Sequence, residues 1–202
     1  MGDYMKNTMS DFFAWKSQKG SVEEKYINNP IIAKWDKLDT LYSFIGIYTI
    51  GIYVFYPEKC NRTDYQIRKK EDNKFFSTEY LSENYKKYSK LNKVIEDSGF
   101  ISVYDSIGNV IPIWPGGNTD RGTRAQCFDI PEIYFCYKNP KWFDILCLNY
   151  PKANIHLIDV EEFTKDTKSF LDSMNEESYK MYLSHVVEVI RRRKEMLQRD
   201  FI

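Results

Sequence analysis

Apolar residues are distributed unevenly along the chain, and the spacing inside each cluster predicts the element that carries it. Residues 40–57 contain no charged side chain, and 42–56 are dominated by aromatic and β-branched residues. Such a run predicts a strand pair, or one long strand, buried on both faces. Leu81, Tyr85, Tyr88, Leu91 and Ile95 recur at helical spacing, and Gly99 stands where a helix-ending residue belongs, so a helix is predicted over 78–97. A second stripe of Tyr179, Leu183, Val186, Ile190 and Leu197 predicts a long final helix. Ser173-Met174-Asn175-Glu176 has the form of a capping box at its start.

Weaker patterns fill the intervals. Phe12, Phe13 and Trp15 mark a short helical stretch within 3–20, and Ile31, Ile32, Trp35 and Leu38 follow Pro30 at helical spacing. Residues 57–76 are polar and read as a loop or an edge hairpin. Strand-like segments are expected at 100–104, 107–114 and 154–159, and 131–137 is apolar and aromatic. Asn139-Pro140 offers an N-cap and a first-turn proline for a helix ending before Pro151, and Asp159 can cap a helix over 160–173. Strands early and in the middle, then helices, predict an α+β fold. The expectation is one domain over 1–202, with a central, mostly antiparallel sheet, helices packed on it, and C-terminal helices 160–200 on a mixed core.

Composition supports a packed core. The chain has 202 residues, 43% hydrophobic, with 16 Tyr, 13 Phe and 4 Trp, enough aromatic surface to offset chain entropy. Basic and acidic residues balance at 29 each, so no global field draws in nucleic acid or an anionic membrane, although a local basic patch remains compatible. The 40–57 run is shorter than the ~20 apolar residues of a membrane span, and the N-terminus lacks the basic and apolar regions of a secretory signal. The four cysteines (60, 127, 136 and 147) form no C-x-x-C pair and match no common zinc module. A cytoplasmic, reduced protein with neither metal nor cofactor is expected.

Candidate chemistry concentrates in one loop. Gly116 and Gly117 allow consecutive N–H groups to form an anion-binding nest, and Asn118, Asp120, Arg121, Arg124 and Asp129 follow closely. Arginine's planar fork suits phosphate or carboxylate, so the loop could hold a nucleotide or another small phosphate-bearing ligand. A structural turn, with arginines paired to aspartates, accounts for the same residues. Arg191, Arg192, Arg193 and Lys194 form a basic run that could contact a nucleic-acid backbone, or simply complement the helix dipole and face water. Gly46-x4-Gly51 lacks the Lys-Ser/Thr of a phosphate loop and reads as strand glycine. His156 lies in an apolar run and His185 beside the final stripe; a pairing of His156 with Cys127 or Cys147 has no support in spacing.

Two resemblances add context. The stretch Ser106-Ile107-Gly108-Asn109-Val110-Ile111-Pro112-Ile113, with Asn118, is similar to the Ile-Gly-Asn…Asn segment of His-Asn-His-type nuclease domains in modification-dependent restriction enzymes. That family uses an upstream histidine to activate water beside a metal, and here no histidine precedes position 156. Thr49-Ile50-Gly51, Asn118-Thr119-Asp120-Arg121-Gly122 and Phe128-Asp129 together resemble small uncharacterised bacterial and phage proteins. This resemblance implies a cytosolic bacterial or phage protein, with a role in phage–host conflict among its implications. The sequence completes no catalytic constellation. It therefore favours a non-catalytic binding protein with a macromolecular partner, with the phosphate-ligand loop as the alternative and nucleic-acid binding through 191–194 as a further one.

Overall fold

The computed structural model describes residues 7–19, 26, 28–30, 38–64, 66–112, 130–133 and 160–199. The fold is α+β: helices dominate, accompanied by antiparallel strand pairs and a helical C-terminal region. In chain order the described elements are α1 (Met9–Lys19), β1 (Leu38–Thr40), α2 (Phe44–Phe55), β2 (Cys60–Arg62), β3 (Ile67–Lys69), α3 (Thr78–Asn84), α4 (Ser89–Ser98), α5 (Phe100–Val103), β4 (Val110–Pro112), α6 (Val160–Asp172) and α7 (Glu176–Arg199). Single 3-10 turns lie at Pro57–Lys59, Tyr85–Tyr88 and Ile107–Asn109.

The chain divides into two compact units, each built from separated stretches. One comprises Met1–Thr40, Ser77–Trp114 and Lys180–Ile202; the other comprises Leu41–Phe76 and Pro115–Tyr179.

In the first unit, β1 and β4 pair antiparallel with Leu38 opposite Pro112 and Thr40 opposite Val110. Helix α1 starts with reciprocal bonds: Thr8 Oγ1 accepts from the Asp11 N–H at 3.2 Å, while Asp11 Oδ2 accepts from the Thr8 N–H at 3.3 Å. Its buried Phe12 meets Tyr104 edge-on at 5.2 Å, and Phe100 meets the same ring at 5.6 Å. Leu91 and Ile95 of α4, and Leu183, Val186 and Ile190 of α7, complete this core. Each full burial of a side chain of that size contributes about 1.5–3 kcal/mol. Helix α4 ends at Gly99 with φ 78°, a left-handed conformation that glycine adopts without strain.

In the second unit, β2 and β3 form a hairpin with Cys60 opposite Lys69, the edge hairpin expected within 57–76. Helix α2 begins where the Ser43 hydroxyl accepts from the Gly46 N–H at 3.1 Å. Tyr42, Tyr48, Ile50, Ile52, Leu171 and Tyr179 are buried here. The Tyr179 hydroxyl donates to the Ile47 carbonyl at 2.9 Å.

Several sequence expectations are corrected. Residues 44–55 are helical, not β, so Gly46 and Gly51 are helix glycines. Phe44 and residues 46–52 are all buried, and a helix surrounded by protein shows no polar period that would distinguish it from a buried strand. Residues 100–103 are a helical turn, and of the described part of 107–114 the first three residues form a 3-10 turn and 110–112 the strand. The α7 cap lies two residues later than expected: Asn175 Oδ1 accepts from the N–H groups of Glu177 (2.9 Å) and Ser178 (3.0 Å), and Ser178 Oγ accepts from the Asn175 N–H at 2.7 Å. The elements expected at 139–149 and 154–159, and the Asp159 cap, lie outside the described residues. No described helix is long and apolar enough to cross a membrane.

Candidate functional site

The basic run of the last helix and the Ile-Gly-Asn segment meet in the first unit. Four consecutive helical residues sweep about 300° around the axis, so 191–194 cannot all face one way. Arg191, Arg192 and Lys194 are exposed, while Arg193 is 3% exposed. Arg193 Nε donates to the Gly108 carbonyl at 2.8 Å, and Nη2 donates to the Val110 carbonyl at 2.8 Å. Its guanidinium therefore clamps the 3-10 turn and the start of β4 to α7, and it drops out of the solvent-facing basic group. Arg192 pairs with Glu188 one turn earlier. A signal for this was present in the sequence, because Arg193 continues the stripe Val186, Ile190 at helical spacing.

Gly108 explains why the turn can sit so close. A Cβ built there would lie 2.0 Å from the Ile190 carbonyl oxygen and 2.8 Å from the Lys194 nitrogen, both backbone atoms of α7. Asn109 is fully buried, and its Nδ2 donates to the Tyr104 carbonyl at 2.9 Å. The segment that resembles a nuclease motif is thus engaged in joining the turn to α7.

The loop residues Asn118, Asp120, Arg121, Arg124 and Asp129 lie outside the described residues, as do Cys127, Cys136, Cys147 and His156. Just beyond the loop, residues 131–133 are helical, and the buried hydroxyl of Tyr42 donates to the buried carboxylate of Glu132. Sequence reasoning passed over both residues: a lone Glu in an apolar stretch and a Tyr in an aromatic run carry no distinguishing spacing.

A polar network in the second unit joins the hairpin to α6. Arg62 donates to the Tyr53 hydroxyl at 2.8 Å and to Asp172 Oδ1 at 2.6 Å, with its guanidinium 5.2 Å from the centre of the Tyr53 ring. Lys168 Nζ lies 2.9 Å from Asp64 Oδ1, and its hydrogen bond holds that carboxyl below its ordinary range. Cys60 is a free thiol pushed up to about 12 by burial and by Glu58, so it stays protonated and weakly nucleophilic near neutrality. Among the described residues no three His, Cys, Asp or Glu side chains cluster to hold a metal. His185 sits half-buried on α7.

The outer side of α7 presents the exposed positions Met181, Ser184, Glu188, Arg192 and Glu195, at successive three- and four-residue intervals. Among the described residues Met181 (67% exposed) and Met196 (42%) are the exposed large hydrophobics. Comparison of the chain with protein-family models, characterised proteins and solved structures finds no match.

Proposed function

We propose that this protein works by holding a macromolecular partner rather than by turning over a substrate. The observation that carries the reading is the outer face of α7, where Met181 and Met196 flank an array of Ser184, Glu188, Arg192 and Glu195. Methionine adapts its shape and is over-used at binding surfaces, and mixed charge around an apolar contact gives partner selectivity. The reading is also supported by the polar side chains inside the first unit, since Arg193 and Asn109 both bond backbone carbonyls of the fold.

The test is a photo-cross-linking residue placed at Ser184, followed by identification of the adduct and direct binding to the purified partner. The Met181→Glu, Met196→Glu double variant should keep its circular dichroism spectrum and lose the partner. If cross-linking yields no partner, while nucleotides or phosphosugars raise Tm in a manner abolished by Arg121→Ala and Arg124→Ala, the function belongs to the 116–129 loop instead.

A further inference from the structure

Within the first unit, the outer stripe of α7 carries Met181, Ser184, Glu188, Arg192 and Glu195, all exposed. At about 100° per residue, Glu188 and Arg192 stand about 40° apart around the helix, and Met181 falls between them. The other exposed cations over 180–198, Lys180, Arg191 and Lys194, lie about 80–140° from the midpoint of that pair, on the flanks of the stripe. The centre of the face thus holds one anion and one cation a single turn apart, and the two pair within the helix.

We propose that this face docks on the same face of a second copy of the chain, with the two α7 helices antiparallel about a two-fold axis at the level of residue 190. The proposal names the partner for the α7 face and rests on the reading of that face given above. Charge selects both the direction and the register. In a parallel pair each residue lies level with its own copy, which sets Glu188 against Glu188 and Arg192 against Arg192. Antiparallel helices related by an axis at residue 188 or at residue 192 bring one of those like pairs together again. Glu188 and Arg192 are equally distant from residue 190, so an axis there sets Glu188 of each copy level with Arg192 of the other. The four side chains then form a square of alternating charge, about 6 Å along the helix axis. A guanidinium has five N–H donors, enough for a carboxylate in its own helix and another across the interface. In the same register Met181 of one copy lies about 4.5 Å along the axis from Met196 of the other, less than one turn. The exposed large hydrophobics of the described residues thereby meet at both ends of the contact. Apolar contacts at the ends and opposite charges at the middle suit a small, specific interface that dissociates readily on dilution.

The experiment is sedimentation velocity of the full chain over about 5–500 µM, where a monomer–dimer equilibrium should appear. Glu188→Arg or Arg192→Glu alone should weaken self-association at least ~10-fold, and mixing the two variants should restore it, because each supplies the charge the other lacks. The doubly exchanged chain, with Glu188→Arg and Arg192→Glu, keeps an opposite-charge pair within its own helix. It should dimerise with itself and not with the parent, which keeps the test decisive where a single variant fails to fold. A chain that stays monomeric throughout, self-association that survives both single substitutions, or an exchanged chain that pairs equally well with the parent overturns the proposal. Photo-cross-linking from Ser184 separates the two readings. If a monomeric chain cross-links a different protein there, the α7 face remains a partner site and only the second copy is ruled out; the absence of any adduct removes both.

Discussion

Replacing Arg193 is the sharpest test of how the last helix holds the first unit. The side chain is 3% exposed and supplies two hydrogen bonds of 2.8 Å, to the carbonyls of Gly108 and Val110. Hydrogen bonds from a charged donor contribute about 1.5–3 kcal/mol each. Arg193→Met keeps much of the side-chain volume and removes both donors, so the lower ends of that range already give a loss of about 3 kcal/mol. In a chain of this size that corresponds to a fall in Tm of about 6–12 °C. Arg193→Lys should fall between, because one ammonium on a shorter stem cannot reproduce the fork that reaches both carbonyls. Arg192→Met is the control: its side chain is exposed and pairs with Glu188 one turn away, so a change within about 0.5 kcal/mol is expected. Urea denaturation monitored by circular dichroism, checked by thermal melts, gives all three values. Equal stability of the Arg193→Met and Arg192→Met proteins would refute the clamp.

Gly108→Ala should destabilise by about 3 kcal/mol, since the new methyl meets α7 backbone and overpacking of that kind forces the helix to shift; the same urea titration measures it. Tyr179→Phe should cost about 1 kcal/mol near neutrality through loss of the bond to Ile47. Burial raises the Tyr179 phenol above its usual value, so the folded state keeps the proton while the unfolded chain ionises near pH ~10. The associated stability is therefore present below that pH and lost as pH rises past it, and the variant should show a shallower alkaline decline in Tm than the parent. Cys60 should react with an alkylating reagent at pH 8 at least ~100-fold more slowly in the folded protein than after denaturation; peptide mass spectrometry reads this at a single cysteine. Asn175→Ala should lower stability by about 1 kcal/mol by removing the side-chain acceptor at the start of α7.

Local chemistry was legible in the sequence wherever it acted over a few residues. The stripe Leu81…Ile95 and the glycine at 99 announced helical structure and its left-handed stop, and the chain forms α3, a 3-10 turn and α4 over that interval, ending at φ 78°. The stripe Tyr179…Ile190 announced α7, and the polar 57–76 segment became the β2–β3 hairpin. These patterns are readable because one side of each element meets water and the other does not, and that asymmetry writes a period into the residues. Where the asymmetry vanishes the period vanishes too: 44–55 is apolar nearly throughout, and only its surroundings and the Ser43 cap make it helix rather than strand. Side-chain roles followed the same division. Arg191 through Lys194 look alike in a string of letters, yet the path of the 107–110 backbone past α7 decides that Arg193 turns inward to two carbonyls while its neighbours stay in water. Gly108 likewise gains its meaning only from the Ile190 carbonyl pressed against it. The α+β class and the helical stripes were set by local periodicity. The partners of individual polar groups depend on segments distant in sequence, and only the tertiary structure brings those together.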